Sequence, residues 1–249
     1  MRRIGFVLLQ LLVWAALVAP FAHAREVVLS VGQSMPPYVM RADNRGLEVD
    51  IVREALKLAG HSSRVCFAPL ARVPDLLREG MADAALTMNR ETAIEAECLS
   101  DSHIFYHNVA ISLKEDRLKI QQPADLRGKS VSAFQRADLR LGRGFAEVIP
   151  WMKSYSETAN QMIQLNLLFS GRVDVIIIER HILKALLKAT PESDMVDLSR
   201  PHVVHDIFEP TEYRVGFNDE QLCADFNAGL KKLRESGRYD ELVAKYLEE

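Results

Sequence analysis

The sequence predicts an α/β protein of two lobes, each built on a parallel sheet with helices on its faces. Three observations carry that reading. Strand-like and helix-like segments alternate from Glu26 onward. The alternation breaks at a polar segment, "EDRLKIQQPADLRGK", and then starts again. Two distant stretches, "LREGMADAALTMNR" and "LFSGRVDVIIIER", share one order: helix end, glycine, two residues, aspartate, apolar strand, polar tip. Alternation at this spacing is the mark of βαβ units and a parallel sheet, with right-handed crossovers.

The first 24 residues stand apart. "MRR" is a short basic start, "IGFVLLQLLVWAALVA" an apolar core, and Ala22 and Ala24 supply the small residues of an A-x-A site. This is the pattern of a secretory signal peptide cleaved after Ala24. A membrane anchor is the competing reading, but the run falls short of the roughly 20 apolar residues a spanning helix needs. Loss of Arg2 and Arg3 moves the formal net charge from −3 to −5. That excludes the concentrated basic face of a nucleic-acid binder. The expected location is the periplasm, and the expected state a monomer.

Three cysteines remain, Cys66, Cys98 and Cys223. An oxidising compartment permits one bridge and leaves one thiol over. Cys66 lies in an apolar strand as a free cysteine, yet a Cys66–Cys98 bridge stays open. There is no CxxC pair and no close set of histidines, so neither a metal nor another cofactor is expected, and none of the seven histidines is assigned to chemistry.

In order, "EVVLSVG" is a strand and "LEVDIVREALKLAG" a helix with Val49, Val52, Leu56 and Ala59 on one face and Gly60 as its stop. "SRVCFAPL" is a strand, "VPDLLREG" a helix with Pro74 in its first turn, and "DAALTM" a strand. After the restart come the strands "HNVAISLK" and "SVSAFQ", helices around "LGRGFAEVI" and "ETANQMIQLNLLFSG", the strand "VDVIIIE" and the helix "RHILKALLKAT". Two closing helices, "DEQLCADFNAGLKKLRESG" and "YDELVAKYLE", have no sheet of their own and must bury their apolar faces on the first set. The chain then crosses between lobes twice, near Val109–Lys114 and Tyr213–Phe217. Residues 25–110 and 213–249 form lobe 1, and residues 111–212 form lobe 2.

Ligands of open parallel sheets bind beyond the carboxyl ends of the strands. The uninterrupted run Val175–Ile178 suits a central strand covered on both faces, so Glu179 stands at the ligand-facing edge. Thr87 and Arg90 occupy the matching tip of the first lobe, and Gln135 ends the strand "SVSAF". Arg72 in "PLAR" opens the next helix from the cleft side. Tyr38, after two prolines, sits on a rigid turn that suits a cleft wall. Each has a plainer reading. Glu179 caps the helix that follows it, the arginines pair with Asp75, Glu91 or Glu95, and Tyr38 packs in the core. Asp83 and Asp174, at the other ends of their strands, read as structural.

The order of these segments resembles family 3 of the solute-binding proteins, the periplasmic receptors of polar amino-acid ABC transporters. "MPPYVM" and "GLEVDIVREAL" resemble its opening, "LLREGMADAALT" its first Gly-x-x-Asp-Ala segment and "DLRGKSVSAFQ" its second-lobe start. "SGRVDVIIIER" resembles its second Asp strand and "FNAGLKKLRESGRYDELVAKYL" its closing helices. The resemblance implies a type II periplasmic-binding-protein-like fold, with two hinge strands and a ligand cleft between lobes. It places Glu179 where the family binds an α-ammonium. The family's first-lobe Thr-x-x-Arg clamp for the α-carboxylate is altered here. "TMNRETAIEAECLSD" is about two residues shorter by this alignment, strict alignment puts Ala93 at the clamp, and Arg90 or Arg72 takes its place. Arginine suits that task because its planar fork donates two parallel hydrogen bonds. The second-lobe Gly-Thr is "RADL", which brings in Arg136 and Asp138.

The resulting expectation is a non-catalytic receptor that closes on an amino acid or a related zwitterion or carboxylate and passes it to an ABC permease. One alternative is a sensory partner of a membrane signalling protein, since the chain ends after the closing helices with no fused signalling domain. Another is a cyclohexadienyl-dehydratase-like enzyme, for which Glu179 is the one visible acid.

Overall fold

The computed structural model describes residues 24–93, 96–189 and 196–248. The leader up to His23, including its apolar core, lies outside the described residues.

Two sheets organise the chain. The first runs β2-β1-β3-β11-β4, with β5 also paired to β11, and is formed by β1 (Glu26–Gly32), β2 (Ser62–Ala68), β3 (Ala84–Met88), β4 (Cys98–Leu99), β5 (Ile104–Tyr106) and β11 (Thr211–Phe217). The second runs β10-β6-β9-β7-β8 and is formed by β6 (Asn108–Leu113), β7 (Ser130–Phe134), β8 (Ser154–Thr158), β9 (Val175–Glu179) and β10 (His202–His205). Both sheets are mixed. β2-β1-β3 and β8-β7-β9 are parallel, while β11 runs antiparallel to its neighbours and β6 runs antiparallel to β9 and β10. Sheet membership changes between Tyr106 and Asn108, and again between His205 and Thr211. The segments expected to cross are thus ladder strands, and the turnover lies a few residues before each. Asn108 Nδ2 donates to Thr211 Oγ1 at 3.2 Å, tying the two passages together.

The repeated Gly-x-x-Asp segments do the same task twice. Asp83, before β3, accepts from Val28 N at 2.7 Å. Asp174, before β9, accepts from the N–H and the hydroxyl of Ser130, both at 2.7 Å. Each aspartate pins the start of a neighbouring parallel strand, at the end away from the cleft.

Helix α1 (Leu47–Leu58) buries Leu47, Ile51, Val52, Ala55 and Leu56 against the first sheet. The closing helices α7 (Glu220–Glu235) and α8 (Arg238–Leu247) pack on α1. α7 begins at an Asp219 cap whose side chain accepts from Leu222 N. A Cβ on Gly229 would lie 2.0 Å from the carbonyl oxygen of Ala55, so only glycine permits this approach. Between them lie α2 (Val73–Arg78), α3 (Ala137–Arg140), α4 (Arg143–Ala146), α5 (Gln161–Phe169) and α6 (Arg180–Ala189). The helix expected around "LGRGFAEVI" is the short pair α3 and α4, broken at Gly142, whose φ is 80°. Strands β4, β5, β8 and β10 were not foreseen; all are short, and β8 is largely polar.

The disulfide joins Cys98 to Cys223, from β4 to α7, and Cys66 is a half-buried free thiol. The Cys66–Cys98 bridge left open by the sequence is not formed. Among the described residues no helix is long and apolar enough to cross a membrane.

Candidate functional site

The facing ends of β3 and β9 meet between the lobes. At the first tip, Thr87 is buried with φ 57°, an uncommon conformation for a β-branched residue. Hydrogen bonds hold it there. Its N–H donates to Glu48 Oε1 at 2.8 Å, and its hydroxyl reaches both carboxylate oxygens at 2.9 and 3.0 Å. Glu48, from the first turn of α1, is fully buried and also accepts from Tyr106 OH at 2.7 Å, with His103 Nε2 at 3.0 Å. Burial pushes the Glu48 carboxyl up, but the bonds and charge of His103 and the bonds from Tyr106 and Thr87 outweigh it. The carboxyl is held below its ordinary value. The Thr87 hydroxyl is therefore spent inside the first lobe and does not face the cleft as a free donor.

At the second tip, Glu179 is buried and caps α6, accepting from His181 N at 2.7 Å and Ile182 N at 2.9 Å. It also accepts from His107 N at 3.3 Å, where the chain passes between sheets, and lies 3.0 Å from His181 Nδ1. Tyr38 OH approaches the same His181 nitrogen at 3.2 Å. The Tyr38 ring stacks on Tyr106 at 4.0 Å between centroids, and Tyr106 meets Tyr213 edge-on at 4.8 Å. Burial first, and then the charge of Glu179, push the Tyr38 phenol far up. Tyr38 belongs to this packed aromatic column.

Among the described residues no arginine lines the space at Glu179. Arg72 turns to Asp75 at 3.0 Å and Glu79 at 3.3 Å on the half-exposed side of α2, because those acids lie one and two turns along the same helix. Arg90 is exposed, at the rim of a groove of about 380 Å³ shared with Glu209 and Glu212. Ala93, the strict clamp position, packs on the apolar cluster of Val73, Leu77, Ala85 and Met88. Gln135 does bridge the lobes: its Oε1 accepts from Ala71 N at 3.3 Å. The space between the tips, bounded by Glu179, Thr87, Tyr106, Asn108 and Tyr213, is only about 10 Å³, the volume of a single water site.

The arginine at the cleft comes from the other lobe. Arg140, the last residue of α3, is 3% exposed. Its Nη1 donates to Thr87 O, and its guanidinium lies 5.6 Å from the Tyr213 ring centroid. Beside it a cavity of about 190 Å³ opens between the lobes, lined by Asp75, Arg78, Glu91 and Thr92 from one side and Arg136, Leu139 and Arg140 from the other. Among the described residues no group of His, Cys, Asp and Glu side chains could hold a metal ion.

Glu48, His103, Tyr106, Arg140 and Tyr213 escaped the sequence reading. One signal was present: Glu48 falls on the apolar face of α1 with Ile51, Val52 and Ala55, where an acid must find buried partners. Nothing local marks Arg140.

Two sheets with the chain passing twice between them, and a charged cleft at their facing edges, define a protein of periplasmic-binding-protein-like fold. The chain belongs to the bacterial extracellular solute-binding proteins, family 3, whose family model matches residues 27–249. Solved structures of similar fold include a variant of ArgBP from T. maritima (20% identity, TM-score 0.73, covering 90% of this chain and 96% of that one). Another is a histidine kinase sensor domain with similarity to periplasmic binding proteins (18%, 0.76, 90% and 96%). A third is an ancestral amino-acid-binding protein that is a precursor of cyclohexadienyl dehydratase (18%, 0.71, 89% and 95%). A comparison with curated protein sequences gives no match.

Proposed function

We propose that this solute-binding protein captures a small polar ligand, an amino acid or a related zwitterion or carboxylate, between its lobes in the periplasm and delivers it to an ABC transporter. The supporting observation is the cavity of about 190 Å³ lined by Asp75, Arg78 and Glu91 from the first lobe and by Arg136 and Arg140 from the second. A ligand that touches both lobes binds the closed form better than the open one, and that difference drives hinge closure. The role is non-catalytic. Proton transfer needs an acid or base able to reach a substrate, and the Glu179 carboxylate is occupied by the N–H groups of its own helix.

The test is a thermal-shift screen of the mature chain, Arg25–Glu249, against amino acids, carboxylates and amines, followed by calorimetry, because a ligand of the native state raises Tm. A compound that shifts Tm and binds with a 1:1 stoichiometry supports the receptor reading. A panel without any effect removes it. Prephenate and arogenate should pass through unchanged.

One observation favours a second reading, a sensory partner of a membrane signalling protein. The space at Glu179 is nearly filled by the chain's own side chains. Cross-linking in whole cells separates the two: capture of a permease supports transport, and capture of a membrane kinase or cyclase supports sensing.

A further inference from the structure

Arg140 is a buried cation with no carboxylate paired to it among the described residues. Its partners there are the neutral carbonyl of Thr87 and the side chain of Tyr213, and its Nε is buried without any hydrogen-bond partner. Charged side chains are almost never fully buried unless paired, because leaving a charge in a low-dielectric site without a counter-charge is costly. The buried carboxylate bonded to Thr87 from within the first lobe, Glu48, is already taken by Thr87, Tyr106 and His103. Arg140 lines the 190 Å³ cavity on one side and the 380 Å³ groove on the other. The first of these is many times the single-water space beside Glu179, room enough for a small organic acid.

The other charges of that cavity do not offset Arg140 equally. Asp75 is neutralised by Arg72 at 3.0 Å and Arg78 at 2.7 Å. Arg136, exposed at the cavity's second-lobe edge, adds a second cation. Glu91 is an exposed rim residue. Glu179, where the resemblance would seat an ammonium group, does not line this cavity and is held by three backbone N–H groups.

We infer that the interlobe cavity beside Arg140 is a carboxylate site whose ligand is recognised by its acid group and needs no α-ammonium. The anion anchor is the second-lobe Arg140, with Arg136 beside it. This narrows the proposed receptor function and rests on it. A planar guanidinium with an unused donor accepts a carboxylate in the geometry that such pairs favour, and the incoming charge completes a site that the protein leaves uncompensated.

The experiment uses the mature chain and matched probes: L-glutamate with glutarate, L-aspartate with succinate, and L-alanine with propionate, each beside an alkylamine of similar length that carries no carboxylate. For at least one pair the deaminated acid should bind within a few-fold of its amino acid, and the amine not at all. Arg140→Gln should weaken that acid by roughly 10–100-fold, the effect of one charge-assisted contact, and Arg140→Lys by less. An acid that binds Arg140→Gln as tightly as wild type overturns the anchor while the receptor reading stands. If amino acids bind and none of their deaminated partners does, the claim that no ammonium is needed falls, and the receptor reading again stands. If no probe binds, the receptor reading falls with it. The comparison of acid, amino acid and amine needs no variant, so it decides the matter even where a substitution prevents folding.

Discussion

Arg140 donates through Nη1 to the carbonyl of Thr87, while the N–H and hydroxyl of Thr87 donate to Glu48. One residue with a left-handed backbone thus stands between a buried cation of the second lobe and a buried anion of the first. Backbone strain of this kind costs about 1–3 kcal/mol and persists only where its surroundings enforce it. Here the enforcing groups are the two charges, and they join the interior of one lobe to the face of the other.

Glu48 should be the most sensitive polar position in the first lobe. Glu48→Gln turns an amide NH2 toward a set of donors and removes the charge opposite His103. The expected loss is about 3–5 kcal/mol, the range for breaking a buried pair, read from urea unfolding. A loss under 1 kcal/mol would mean that the cluster contributes little.

Acid should unfold the protein through its depressed carboxyls. Glu48 lies below its ordinary 4.5, and Asp174 below its ordinary 3.8, where burial raises the carboxyl but Ser130, Lys153 and Lys129 lower it further. A carboxyl with a lower pKa in the fold than in the unfolded chain stabilises above the unfolded value and stops doing so as pH falls through the folded one. Stability from Glu48 should therefore hold down to about pH 5 and decline below 4.5. In Glu48→Gln the decline should be shallower, and an identical pH profile for variant and wild type would contradict the assignment.

Glu179→Ala removes the acceptor at the start of α6. Loss of such a cap costs about 0.5–2 kcal/mol, visible as a lower Tm. Affinity for a simple carboxylate should stay within a few-fold. If stability is unchanged and amino-acid binding falls tenfold or more, Glu179 contacts an ammonium group after all.

The Cys98–Cys223 bridge closes 125 residues of sequence separation and ties β4 to α7. The double substitution of both cysteines by serine should lower stability by about 2–4 kcal/mol. Blocking Cys66 with an alkylating reagent should leave Tm where it was. A cysteine-free variant with the wild-type midpoint would show that the bridge is dispensable.

Gly229→Ala places a methyl against the Ala55 carbonyl. Overpacking on backbone costs about 1–3 kcal/mol, and the effect should appear as loosened docking of α7, with faster amide exchange in α1. Unchanged exchange would mean that the helices part at little cost.

The central strands, the long helices and their order could be read from the chain alone: apolar runs of the right length, glycine stops, and two aspartates at the strand ends away from the cleft. The sequence also determined the family, because those signals recur in one order along the chain. These features depend on neighbours a few residues apart. The partners of the charges were a different matter. Arg72 chose Asp75 and Glu79 on its own helix, Glu179 chose the N–H groups directly after it, and Arg140 crossed to a carbonyl 53 positions away. A long, flexible charged side chain reaches many partners, and only the packed arrangement of both lobes decides which of them is desolvated beside it.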